Sequence, residues 1–122
     1  MRDFRKLTVW QKAHRLALDV HRCIEQSPQR RYAGLRSQLL RAAASIPANI
    51  AEGCGKASAA ELARYAEIAL GSCTELDNHL QFSRDVGVLD PASHVELTER
   101  VTELRRMLFS FVRAVRARTT AH

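Results

Sequence analysis

Residues 97–115 read LTERVTELRRMLFSFVRAV, and within them Leu97, Val101, Leu104, Leu108, Phe111 and Val115 recur at alternating steps of four and three. That spacing stacks six apolar side chains on one side of a helix, the seam of a bundle or coiled coil. Asp90-Pro91 just upstream supplies the start signal. Asp accepts from the open N–H groups of the first turn, and Pro at the first helical position gives up no bond. The spacing predicts a helix over 91–117.

Three further segments lie upstream. Val9, Ala13, Leu16, Val20 and Ile24 keep the same rhythm, predicting a helix over 8–27. Ser27-Pro28 ends it, because the residue before proline is pushed out of the helical region. A connector, 29–33, follows. A second helix is expected over 35–52, with Leu35, Leu39, Ala42, Ile46 and Ile50 inward and Gly53-Cys54-Gly55 as its left-handed stop. Pro47 lies inside it, removing one backbone bond and crowding the preceding turn. A kink near 43–47 is expected, or two short helices meeting there. Ser58 with Glu61 reads as a capping box, opening a third helix over 59–86 with Leu62, Ala66, Ala69, Cys73, Leu76 and Leu80 inward. Four amphipathic helices joined by short loops predict an all-α, antiparallel up-and-down four-helix bundle, one domain over 1–122.

The composition agrees. At 122 residues, 46% hydrophobic and 26% charged, with five Gly and three Pro, the chain has room for one domain with its own core. No run of about 18 uncharged apolar residues occurs, so no membrane partner is expected. The N-terminus MRDFRKLTVWQKAHR lacks the apolar run and cleavage site of a secretory signal. Cys23, Cys54 and Cys73 are odd in number and form no CxxC pair. Free thiols and a cytoplasmic location are therefore expected.

Catalytic constellations are missing from the sequence. His14, His21, His79, His94 and His122 form no HExxH pair, and Gly53-Cys54-Gly55-Lys56 lacks P-loop spacing. No EExxH pattern suggests a di-iron bundle. The expectation is a chain that is not an enzyme and takes no metal or cofactor. Two polar stripes stand out instead: Gln38, Arg41, Ser45, Asn49 and Glu52, and then Ser72, Glu75 and His79. They read either as an interhelical network fixing register or as a shared polar groove or oligomer contact. In the first reading Asn49 and Glu52 bond to Arg41 or to polar groups of the third helix.

Net charge is +6 and the isoelectric point about 9.9. Lys12, Arg15 and Arg22 cluster away from the first apolar stripe, preceded by Arg2, Arg5 and Lys6. Beyond Glu103 there is no acid, yet Arg105, Arg106, Arg113, Arg116 and Arg118 follow. In an up-and-down bundle the start of the first helix lies beside the end of the fourth, so these groups are expected to merge into one patch. A one-signed face favours RNA or DNA as partner, against the plainer reading of incidental basicity. Trp10, two Tyr and four Phe are few, and base-specific reading of single strands is not supported.

FRKLTVWQKAHRLALDVHR, YAGLRSQLLRAAASIPANIAEGCGKAS and YAEIALGSCTELDNHL together carry a family resemblance. Over about residues 4–115 the chain resembles the small four-helix-bundle proteins encoded in intervening sequences of bacterial large-subunit ribosomal RNA genes. It is also similar to the accessory variability proteins of diversity-generating retroelements. The carrying positions include Trp10, Ser45, Pro47, Asn49, Glu52, Gly53, Gly71, Ser72 and Glu75. Arg31 departs from the pattern, where an acidic residue is expected, and makes the connector more basic. The resemblance implies a barrel-shaped homopentamer and, in the retroelement relatives, a basic assembly engaging a reverse transcriptase and nucleic acid. Small residues Ala42, Ala43, Ala44, Gly71 and Ser72 would allow close approach between chains. The function expected is a non-catalytic, homo-oligomeric nucleic-acid-binding protein, RNA preferred. The alternative is a protein-interaction scaffold or accessory subunit with incidental charge.

Overall fold

The computed structural model describes residues 2–27 and 32–120. Pro28, Arg31 and His122 lie outside the described residues. A single 3₁₀ turn, Phe4–Lys6, leads into α1 (Thr8–Gln26), α2 (Ala33–Cys54), α3 (Ala59–Asp85) and α4 (Pro91–Thr120). The architecture is all-α, with no strand among the described residues. Each helix packs on two neighbours around the bundle, α1 and α3 each against α2 and α4.

The apolar stripes meet in one core. Val9, Ala13, Leu16, Val20 and Ile24 of α1 are buried against Leu39, Ile46 and Ile50 of α2, with Leu76 and Leu80 of α3 in the same cluster. On α4, Leu97, Val101, Leu104, Leu108 and Val115 are buried as the spacing predicts, but Phe111 is only half-buried and Val112 takes its place. The cause is the mismatch between a strict heptad and 3.6 residues per turn. A straight helix drifts about 20° per heptad, which carries the later seam position outward.

Local signals explain most helix ends. Ser27 is extended at φ −69, ψ 130 just before Pro28. The α1 carbonyl of Ile24 accepts from the Ser27 N–H at 3.2 Å and from Arg36 Nη1 at 2.9 Å. Ser58 Oγ accepts from the Glu61 N–H at 3.1 Å, half of the expected capping box. Asp90 Oδ2 accepts from the Ser93 N–H at 3.2 Å and opens α4. After α3, Gly87 takes φ +85, while Gly87 N–H donates to Arg84 O and Val88 N–H to Ser83 O. This paired bonding is the Schellman stop, which needs a residue free to turn left-handed.

α2 differs from expectation at both ends. Tyr32, in the left-handed region at φ 63, precedes its first residue. The helix then runs through Gly53 to Cys54, and Gly55 is right-handed at φ −81, so no left-handed glycine stops it. Gly53 serves packing instead: a Cβ there would lie 3.0 Å from Tyr65 Cβ and 3.2 Å from the Leu62 carbonyl of α3. The helix is also one element across Pro47, which disposes of the two-helix alternative. Neighbouring helices hold the segment, since the proline ring is buried and only the bond to the Ala43 carbonyl is forgone.

Candidate nucleic-acid interface

α1 and α4 run antiparallel, as the cross-helix pairs prove: Asp19 with Arg100 at 2.6 Å and Lys12 with Glu103. The start of α1 consequently meets the later half of α4, where Leu7, Thr8 and Val9 line a groove with Arg106, Met107, Ser110 and Phe111. The segment before α1 crosses to the end of α2, where the Arg2 N–H donates to the Cys54 carbonyl at 3.3 Å. One end of the bundle thereby gathers Arg2, Arg5, Lys6, Lys56, Arg64, Arg113, Arg116 and Arg118. The opposite end, where α1 stops and α4 starts, mixes Glu25, Asp85, Asp90, Glu96 and Glu99 with Arg22, Arg36, Arg84 and Arg100.

The cations expected to form the patch divide into two sets. Lys12 is held by Glu103, Arg22 by Asp19 at 2.8 Å, Arg105 by Asp77 at 3.6 Å, Arg116 by Glu67, and Arg5 by Asp3 at 3.6 Å. Arg2, Lys6, Arg15, Arg106, Arg113 and Arg118 are exposed with no ion pair among the described residues. The continuous patch drawn from sequence is therefore narrower. α4 has no acid of its own past Glu103, but α3 delivers Glu67 and Asp77 across the interhelical groove. Sequence spacing along α4 is blind to that neighbour.

Two of these carboxyls are shifted by their partners. Burial works against ionisation of Asp19, yet the hydrogen bond and charge of Arg100, then those of Arg22, outweigh it and hold the carboxyl below its ordinary value. The Lys12 hydrogen bond and charge likewise hold Glu103 down. The thiols move the other way. Burial pushes Cys73 up to about 12 against the pull of Arg105, and burial also raises Cys54 and Cys23. A protonated, buried thiol is a poor nucleophile or metal ligand. Among the described residues no three His, Cys, Asp or Glu groups converge as a metal site. No helix there is long and apolar enough to cross a membrane.

The two polar stripes come together between α2 and α3. Asn49 Nδ2 donates to the Ser45 carbonyl at 2.8 Å and to Ser45 Oγ at 3.0 Å. Ser45 Oγ lies 2.8 Å from Ser72 Oγ. Gln38, Arg41, Glu75 and His79 line the shallow groove beside them, with His79 Nε2 at 3.5 Å from Glu75 Oε1. Glu52 does not join. It is exposed, because three steps on from Asn49 at about 100° each swing it roughly 60° further from the core. The network is Ser45–Asn49–Ser72, without Glu52 and without Arg41.

An apolar groove between α1 and α2 escaped the periodicity argument. Phe4, Trp10, Ala17, Leu18, Leu40, Ala44 and Pro47 line it with His14 and His21. Trp10 stacks on His14 at 4.7 Å between centroids and tilts against Phe4 at 5.0 Å. The sequence signal was there: Trp10, Ala17 and Leu18 form a second apolar strip beside the first. Of the small residues expected to serve contact between chains, Ala42 and Ala43 are core and Ser72 is buried in its hydrogen bond. Ala44 and Gly71 remain exposed.

Comparison with known proteins agrees with this architecture. A solved structure of a protein of unknown function from the S23 ribosomal protein family of Bacteroides thetaiotaomicron superposes with a TM-score of 0.80. The two are 22% identical, and the match covers 86% of this chain and 98% of that one. At that identity the likeness speaks for the fold alone. No curated protein matches the chain. The family described as 23S rRNA-intervening sequence protein matches residues 5–110. With seven-eighths of the sequence matched, blocks on α1, α2 and α3 in order, and the same bundle in a solved relative, the chain belongs to the 23S rRNA-intervening sequence protein family.

Proposed function

We propose that the chain is a non-catalytic, homo-oligomeric protein that binds nucleic acid, RNA in preference, through phosphate contacts at the basic end of its bundle. The observation that carries this reading is the set of exposed cations with no ion pair among the described residues: Arg2, Lys6, Arg106, Arg113 and Arg118. Such side chains release condensed counterions when they meet phosphate, and oligomerisation repeats the surface. The family's printed description, a protein of a ribosomal RNA intervening sequence, is in keeping with an RNA context. The test is an anisotropy titration of labelled RNA and DNA at two salt concentrations, with wild type and the double variant Arg106→Glu, Arg113→Glu. Wild type binds at low salt, with affinity falling steeply as salt rises. The double reversal weakens binding about equally for unrelated sequences, since phosphate contacts position without specifying. It also flattens the log–log slope on duplex by roughly 0.9 per lost contact. Absence of wild-type binding at low salt rejects the proposal.

The second reading is a scaffold or accessory subunit, for example for a reverse transcriptase, with incidental charge. The α1–α2 groove supports it, because an open apolar surface around Trp10 and Leu18 suits a protein partner. The two readings part on nucleic-acid binding itself, while Leu18→Glu blocks the groove. Under the scaffold reading that change abolishes partner capture while nucleic-acid binding is absent throughout.

A further inference from the structure

Phe109 is the most exposed large apolar side chain of the described residues, at 57%. It sits on the outer side of α4, away from the buried seam of Leu104, Leu108 and Val112. Residues three and four apart are neighbours on a helix surface. For Phe109 those neighbours are Arg105, Arg106, Val112 and Arg113. Val112 is buried, so the three that share the surface with the ring are all arginines. Arg105 is held by Asp77, whereas Arg106 and Arg113 are exposed with no ion pair among the described residues. α4 offers no carboxylate beyond Glu103. The other strongly exposed apolar groups are framed differently: Val95 has Glu99 beside it, and Phe82 has Asp85.

An apolar ring framed by free cations selects its occupant. A second copy placing an apolar face there would bury two guanidinium groups without counter-charge, which is costly. Duplex nucleic acid would satisfy the arginines and leave the ring facing sugar and phosphate, since its bases are stacked away inside. A single strand satisfies both, because an unpaired base presents a flat π-face and a phosphate on either side. Arg106 and Arg113 are separated by seven residues, about 10.5 Å along the axis, so they flank the ring on both sides. We propose that Phe109 is a stacking platform for an unpaired base, with Arg106 and Arg113 holding the adjoining phosphates. The ligand class of the basic end is thereby single-stranded nucleic acid, read without base preference. This rests on the nucleic-acid reading above and narrows it.

The test uses the full chain and three labelled probes: an unstructured 12-nucleotide RNA, the DNA of the same sequence, and the RNA annealed to its complement. Phe109→Ala weakens binding of the single strands by about 5- to 100-fold, the range of one lost base–aromatic stack, and leaves the duplex unchanged. Phe109→Trp restores single-strand affinity, and its tryptophan fluorescence is quenched by the oligonucleotide beyond the quenching seen in wild type. Equal losses for Phe109→Ala on RNA and DNA single strands are expected, since every base has a π-face. Three results overturn the inference: single-strand affinity indifferent to Phe109→Ala, equal losses on single strand and duplex, or a change of particle mass by light scattering that makes Phe109 a subunit contact. If Arg106→Glu with Arg113→Glu abolishes binding while Phe109→Ala does nothing, only the stacking inference falls. If wild type binds none of the three probes at low salt, both fall.

Discussion

Gly53 and Gly71 both stand inside helices, where glycine costs about 0.5–1 kcal/mol relative to alanine, yet they answer to opposite constraints. At Gly53 a methyl group would press on Tyr65 Cβ at 3.0 Å and on the Leu62 carbonyl at 3.2 Å. Neither is the free end of a flexible side chain, so α2 and α3 would have to separate. Gly53→Ala is expected to destabilise by about 1–3 kcal/mol, the usual cost of overpacking. At Gly71 nothing lies within 4 Å of the added atom. Gly71→Ala is expected to raise stability by about 0.5–1 kcal/mol. Thermal denaturation of the two variants side by side checks both signs. The serine pair obeys a different rule. Ser72→Ala removes one of the two hydrogen bonds of Ser45 Oγ, leaving that from Asn49, and should cost about 1 kcal/mol. Adding Ser45→Ala should cost less than the two single losses summed, because the Ser45–Ser72 bond is counted in both. Glu52→Ala, at an exposed carboxylate, should stay within about 0.5 kcal/mol. Denaturant midpoints of these variants separate the network from its surface neighbour.

Among the elements, α1 and α4 share the least packing and rely visibly on side-chain pins. Asp19 joins Arg22 of its own helix and Arg100 of α4 at 2.8 and 2.6 Å. Its carboxyl is held below the ordinary value of 3.8. A depressed carboxyl stabilises the fold at pH above its unfolded value, and that contribution is lost as pH falls through the lowered folded value. Asp19→Asn is therefore expected to reduce stability by about 0.5–1 kcal/mol near pH 7, the scale of a partly exposed pair. The gap to wild type should close in acid well below pH 4. Melting curves of both proteins at pH 7 and pH 3 check it: a gap that persists undiminished in acid removes the electrostatic account. Pro47 makes the complementary point about α2. A helix that forgoes a backbone bond still runs 22 residues, because its apolar side chains are buried against α1 and α3 on either side.

At the scale of the whole molecule, the bundle is electrically and chemically sided. Exposed cations with no ion pair among the described residues gather toward the end of α4, and an apolar groove lies open between α1 and α2. A monomer rarely leaves such a groove uncovered. Five subunits are the number the family resemblance implies. Light scattering at micromolar concentration is expected to give a multiple of the 13.7 kDa chain mass. Leu18→Glu, placed in the groove, is expected to lower that mass, whereas Arg106→Glu with Arg113→Glu is expected to leave it unchanged. A clean monomer in wild type ends the assembly proposal.

Features that depend on neighbours along the chain are legible in the residues alone. Four apolar stripes at helical spacing, the Ser58 and Asp90 caps, the stop before Pro28 and the Gly87 turn are all written in local order, and short loops then leave an antiparallel bundle as the way to bury the stripes. The blocks around Trp10, Ser45–Gly53 and Gly71–Glu75 were enough to place the family. Features that depend on neighbours across the groove emerge only when the helices pack. Asp77 and Glu67 on α3 neutralise Arg105 and Arg116, Val112 replaces Phe111 in the core, and Glu52 turns out to solvent while Ser45 and Ser72 find each other. The physical reason is geometric. Helical periodicity assigns each residue a side of its own helix, but which partner waits on that side depends on the small rotation and axial offset with which two helices pack. No local pattern encodes an offset of one residue, and one residue suffices to turn a free arginine into a paired one.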